Sequence, residues 1–328
     1  MGLLNRLFGK EPALQVAADK SEKTRTVEVW ETGSMLQISS LDFFGPYCRS
    51  PNGRYTLAWR DGSGLRGGAR DSGEGRYILL DGKQVVVDGA MQRPNDGRVA
   101  DNGTFVLNDW RFSSELTGTF WAFRSDGSLI LSRSFSANLF NNGLSVDGAL
   151  ACCQTCNSPS EDSSVLAIFD LIGGQEISTF SAESGWASDY EFSPGAEGVR
   201  LRYQNDDVAF GYALSGEFIE REQWVTSRLQ GGDLYMVKRL LEEAGGSPDV
   251  VVAKRLVAAI EIGLRHQNWQ DDRSQALGWR LRGEILEATD AVAQALECYD
   301  KALALNSKIG IKRRIDQLRK SLSVKAGE

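Results

Sequence analysis

The chain has 328 residues, 41% hydrophobic and 25% charged, and a net charge of −7. A chain of that size divides into one large or two ordinary domains and needs no covalent staples. Its acidic balance argues against a nucleic-acid binder taken as a whole. No apolar run is long enough for a transmembrane helix. Five cysteines, an odd number without a secretory signal, suit a reducing cytoplasm, which is the expected location.

Residues 1–25 read as a flexible tail. Its start, "MGLLNRLFGKEPAL", puts Leu3, Leu4, Leu7 and Phe8 on one helical face beside Arg6 and Lys10. That face is either a frayed terminus or a weak membrane-surface peptide.

From residue 26 to 230 one pattern returns: a small turn, then an apolar-alternating run. The turns of "SPNGRYTLAW", "ADNGTFVLNDW", "SVDGALACCQT" and "SPGAEGVRLRY" align on Gly53, Gly103, Gly148 and Gly198. Glycine there supplies the positive φ of a tight hairpin. A second hairpin accompanies each copy, with turns at Gly82, Gly127, Gly174 and Gly216, and one further hairpin, turning at Gly33, leads the series. Two hairpins per unit and a period in the forties describe a four-stranded propeller blade.

On these residues the segment from about 26 to 224 resembles the WD40-like and related bacterial β-propeller repeats, without the Gly-His and Trp-Asp pairs of true WD40 blades. The count is four full units plus one hairpin. The expected arrangement is therefore five blades, one of them a two-stranded closing blade; an open arc completed by a partner is the alternative.

Residues 231–328 change character. Gly231 and Gly232 precede Asp233, an N-cap signal, and Gly245 and Gly246 end that helix. Ser247-Pro248 predict the next start, with proline at the first helical position. "ALGWRLRGEILEATDAVAQALECYDKALALNS" then resembles a tetratricopeptide repeat (TPR) over about 274–307. The resemblance implies packing roles for Trp279, Gly283, Ala295, Tyr299 and Ala302. The predicted fold is thus multidomain, all-β followed by all-α, with five C-terminal helices. From Ser307 to Glu328 seven lysines and arginines face two acids, so the end is +5 and the rest −12.

Catalytic signals are sparse. The one histidine, His266, excludes histidine-rich metal sites and leaves little room for a Ser-His-Asp triad. Cys153 and Cys156 form a C-x-x-C beside Cys152, the candidate metal or redox group. They lack a second pair for zinc and the helix start of a thioredoxin-like motif, and Cys152 aligns with the core positions Leu57 and Leu107. The loop over residues 60–76 has no Gly-Lys-Ser/Thr for phosphate.

In a propeller the loop over 60–76 shares a face with those around residues 110–118 and 154–164. Arg66, Arg70, Trp110, Arg111 and Phe112 are therefore the expected partner-binding residues, of the types that dominate interface energetics.

The expected function is a non-enzymatic adaptor or scaffold for a partner protein, without cofactor and without DNA. An immunity or defence component is a compatible version. The sequence leaves two others open. One is a propeller enzyme or small-ligand or metal sensor using Asp61, Asp71, Asp109 and Asp126. The other is RNA or anionic-lipid association through the basic last helix.

Overall fold

The computed structural model describes residues 25–62, 73–111, 116–193, 195, 197–204 and 208–325. The amphipathic start, residues 1–10, lies outside them. Contacts divide the chain between Ile219 and Glu220, ahead of the 230/231 boundary that the glycine pair suggests.

The first unit is built of antiparallel sheets. The first sheet contains β1 (Arg25–Thr26), β2 (Trp30–Thr32), β3 (Met35–Ile38), β4 (Phe43–Arg49), β5 (Tyr55–Arg60), β6 (Gly75–Asp81) and β7 (Gln84–Met91), in the order β1-β7-β6-β5-β4-β3-β2. The second runs in sequence through β8 (Pro94–Val99), β9 (Phe105–Asp109), β10 (Gly118–Phe123) and β11 (Leu129–Phe135). The third runs likewise through β12 (Leu139–Leu144), β13 (Leu150–Thr155), β14 (Leu166–Asp170) and β15 (Gln175–Phe180). The fourth has β16 (Asp189–Phe192), β17 (Gly198–Tyr203) and β18 (Val208–Ala213).

The sheets stack face to face, and the sequence says why. The middle strands β5, β9 and β13 are buried along nearly their whole length, because strands covered on both faces read as continuous apolar runs. Leu57, Leu79, Phe105, Leu107 and Phe123 fill the seam between the first two sheets. Val106, Phe120, Cys153 and Phe169 fill the second seam, with the Phe120 and Phe169 rings stacked at 4.6 Å. Cys152, Ile168, Tyr190, Leu201 and Tyr212 fill the third. Adjacent residues such as Val106 and Leu107, or Cys152 and Cys153, thus serve opposite seams. These are propeller-like β repeats.

The recurring turn also has a physical explanation. Gly53, Gly103 and Gly148 sit at φ of +74°, +85° and +73°. In the first turn the Asn52 side-chain oxygen accepts from Arg54 N (2.9 Å), and the Ser50 hydroxyl accepts from Tyr55 N (3.0 Å). Asp147 and Ser145 repeat this arrangement in the third. The turns then join one another: Asn52 N donates to the Asp101 carboxylate (2.8 Å), and Asn102 Nδ2 donates to Asp147 O (2.7 Å). Asn52 and Asn102 therefore each serve their own turn and bond the next.

Several expectations are corrected. The leading hairpin is not a separate closing blade. β3 pairs with β4, placing Leu36 and Ile38 over Ala58, Ile78 and Leu80 and so covering the outer face of the first sheet. The strands that are described therefore form four sheets. In the fourth repeat the left-handed glycine is Gly195, at φ +79°, while Gly198 begins β17. That sheet has three named strands: after β18 the chain returns through the Tyr212–Phe218 bridge, with Ala213 N donating to Glu217 O (2.9 Å) and Ile219 N donating to Gly211 O (3.0 Å).

The second unit is helical: α1 (Arg221–Gln230), α2 (Leu234–Glu243), α3 (Val250–Arg265), α4 (Asp272–Ala288), α5 (Val292–Leu305) and α6 (Lys312–Lys325). Among the described residues six helices stand where five were expected, because α1 starts close behind the Tyr212–Phe218 bridge, with only Ile219 and Glu220 between Phe218 and the helix. Asp233, Asp249 and Asp271 cap α2, α3 and α4 by accepting from backbone N–H groups. α3 accordingly begins at Val250, two residues beyond Pro248, and its cap is Asp249 rather than Ser247.

Within the α4–α5 hairpin, Ala295, Tyr299 and Ala302 are buried, with Trp279 packed against their cluster. A Cβ at Gly283 would lie 2.5 Å from Tyr299 Cδ1, so only glycine admits that ring against α4. Lys301 Nζ lies 4.3 Å from the centre of the Trp279 ring.

Candidate interaction surface

One end of the sheet stack gathers the starts of β4, β8 and β12, the ends of β5, β9 and β13, and the connection before β16. Arg93 ties the first two sheets together there. Its Nε donates to Asp61 (3.3 Å), and its guanidinium lies 5.8 Å from the centre of the Trp110 ring. Trp110 Nε1 donates to Leu139 O (2.8 Å), carrying the connection to the third sheet. Trp186 Nε1 donates to Thr155 O (3.0 Å).

Phe140 and Trp186 pair across this end, ring centres 5.9 Å apart, yet remain 45% and 47% exposed. The cause at Phe140 is local. The register shifts between Leu139 and Asn141, so Leu139 turns into the core while Phe140 faces out. Trp186 sits in a connection, fixed by its indole bond. Phe44 at the start of β4 and Leu116 before β10 are exposed at the same end.

Of the residues expected at this surface, Arg66, Arg70 and Phe112 lie outside the described residues. Trp110 is half-buried and committed to packing against the second seam. Arg111 adopts φ +58°, unusual for a residue with a side chain. It is held there by its N–H bond to the Asp109 carboxylate (2.9 Å), which also accepts from Arg93 N (2.8 Å). Burial pushes the Asp109 carboxyl above the usual carboxylate range, opposed by these backbone donors.

Phe140 and Trp186 did not stand out in the sequence. The usable signal was Trp186 between Gly185 and Ala187, outside any alternating run.

The carboxylates of the enzyme alternative do not converge among the described residues. Asp61 binds Arg93 and Asp109 binds backbone, while Asp126 sits in the β10–β11 turn at the opposite end, accepting from Ser128 N. Asp71 lies outside the described residues, among which no group of three His, Cys, Asp or Glu is placed to hold a metal.

The cysteines are free thiols. Cys152 and Cys153 face opposite seams, and burial pushes both thiols far above their ordinary range. Cys156, just beyond β13, is raised less, again by burial. Thiolate chemistry is disfavoured in such surroundings.

The helical unit has its own concavity, a cleft of about 720 Å³ with Leu241, Leu281 and Tyr299 among its lining. Its rim alternates in sign, with Arg280 on Glu284 (2.7 Å) and Arg314 on Glu287. On α6, Ile315 and Leu318 pack inward beside Ile311, which precedes the helix. Arg319 pairs with Asp300 (2.7 Å), so part of the basic charge is matched within the unit. No helix among the described residues is long and apolar enough to cross a membrane.

No protein-family model and no curated protein matches the chain. Among solved structures it is similar to Kluyvelomyces marxianus Hsv2, at 9% identity and TM-score 0.36, covering 57% of this chain and 56% of that one. It is similar to KlHsv2 with loop 6CD replaced by a Gly-Ser linker, at 12% identity and TM-score 0.35, covering 56% and 59%. The computationally designed Ika4 protein also matches, at 9% identity and TM-score 0.32, covering 59% and 94%. The chain thus spans somewhat over half the length of the Hsv2 structures. At these scores the likenesses carry no weight, and the fold stands on the strand order and seams above.

Proposed function

We propose that this protein is a non-enzymatic adaptor that holds a partner protein on the loop end of its sheet stack, with the helical unit as a second binding surface. The observation that carries it is the Phe140–Trp186 pair, two large rings fixed in place and half in solvent. Aromatic anchors preset by packing lose little conformational freedom on binding, which is what interface hot spots require. Asp61 and Asp109 are engaged in holding Arg93 and the backbone, which favours a structural use of the carboxylates at this end. We read α4–α5 as a single TPR-like unit, with Gly283 admitting Tyr299 as the resemblance implies.

The test is capture of partners from host lysate on the tagged chain, beside a Phe140→Ala/Trp186→Ala variant of matched stability. A partner retained at stoichiometric level by the wild type and depleted at least tenfold by the variant is expected. Equal retention would place the binding surface elsewhere.

A further inference from the structure

The second seam contains a polar cluster that packing does not explain. Asn108 on β9 and Asn142 on β12 are both fully buried, and neither the oxygen nor the nitrogen of either side-chain amide has a hydrogen-bond partner. The Asn95 side-chain oxygen, at the irregular start of β8, is a fifth such atom.

Register places these groups together. Asn108 is opposite Phe120, and Asn142 is opposite Cys153. Both partners belong to the apolar filling between the second and third sheets, so both amides face that seam. Asp96 joins them: it lies opposite Asn108 across β8 and β9, and its carboxylate accepts from Asn142 N at 3.1 Å. That carboxylate also accepts from Gly97 N (2.9 Å) and Arg98 Nη1 (3.0 Å). Burial raises its pKa, opposed chiefly by Arg98.

The chemistry selects the ligand. Each amide presents two N–H donors and an acceptor oxygen. A cation satisfies only the oxygens and leaves the nitrogens unmet; an anion does the reverse. Asp96 already has a guanidinium and backbone N–H groups, so the cluster supplies no spare carboxylate for a metal. Water both donates and accepts, and buried water typically makes about three bonds to such groups. We infer that ordered internal water bridges Asn108 and Asn142 beside Asp96, an integral polar bridge between the second and third sheets. Leaving the amides unpaired would instead carry the uncompensated desolvation cost of buried polar groups.

The experiment is nuclear magnetic resonance on the full chain, reading cross-relaxation between water and the side-chain amide protons of Asn108 and Asn142. A crystal structure at a resolution that shows ordered water, grown in sodium salts and again in potassium salts, accompanies it. Cross-peaks at both amides, with water density between them unchanged by the salt, are expected. Direct amide-to-amide bonding without cross-peaks overturns the inference. So does density with metal–oxygen distances that alter when sodium replaces potassium. Both readouts use the wild-type chain, so no variant needs to fold for the question to be decided.

Discussion

Replacing Gly283 by alanine tests the helical hairpin at its tightest point. In an isolated helix the change helps, because alanine is favoured over glycine by about 0.8–1.0 kcal/mol. Here the new Cβ would stand 2.5 Å from Tyr299 Cδ1, inside any van der Waals contact. Tyr299 has little room to yield, being 1% exposed with its hydroxyl bound to Glu287 at 2.8 Å. Overpacking of this kind costs about 1–3 kcal/mol, so Gly283→Ala is expected to be net destabilising by about 1 kcal/mol.

In a Tyr299→Ala background the obstruction is gone, and the same change should stabilise by close to the full propensity gain. The two changes should therefore couple strongly, as contacting residues do. The assay is urea unfolding of the full chain followed by far-ultraviolet circular dichroism, with hydrogen exchange of α4 and α5 peptides to localise the effect. A stabilising Gly283→Ala in the wild-type background, or equal effects in both backgrounds, would refute the reasoning.

Other outcomes follow from the first unit. Asp109 carries a raised carboxyl pKa, and the oxygen that accepts from Arg93 N and Arg111 N would be retained in Asp109→Asn. The folded state therefore holds its proton more tightly than the unfolded chain, whose value is about 3.9. That makes stability fall as pH rises from the unfolded value through the folded one. The variant should match the wild type in acid and exceed it at neutral pH, read as the urea midpoint across that range. An advantage that appears only in acid would contradict the assignment. Iodoacetamide should leave Cys152 and Cys153 unmodified in the native chain and label both after denaturation, with Cys156 reacting slowly; mass spectrometry of the peptides reads the result. Rapid native labelling of Cys152 or Cys153 would contradict their burial.

What the sequence revealed follows from where each signal lies. The turn residues Asn52, Asn102 and Asp147 were legible because a tight turn carries its chemistry in adjacent positions. The fourth copy was misaligned because Gly198 has the right neighbours while Gly195 has the left-handed backbone. The leading hairpin was recognisable as a hairpin, but its partner was not, since Leu36 and Ile38 announce only that they need an apolar face. α1 escaped notice because Glu220 makes no side-chain cap and neither proline nor glycine stands between the bridge residue Phe218 and the helix. Pro248 precedes the cap and lies two positions before the first helical residue, since Asp249 is the residue whose side chain meets the free N–H groups.

The proposed interaction surface was partly legible. Arg and aromatic residues at strand-joining loops point to the same end of the sheets as the Phe140–Trp186 pair, yet Trp110 is spent on Leu139 and the second seam. Phe140 was hidden by the register shift beside it, which reverses the inward and outward phase that alternation predicts. No count of apolar positions reveals such a shift. It arises where β12 adjusts to β13, a matter of pairing between distant segments.

The most direct measurement of the adaptor reading is hydrogen exchange on the chain alone and in complex with its captured partner. Peptides covering Leu139–Asn142 and Gly185–Ala187 should gain protection on binding, while those covering the turns at Gly53, Gly103 and Gly148 should not change. Protection confined to those turns, or to the helical unit alone, would contradict a docking surface built on Phe140 and Trp186.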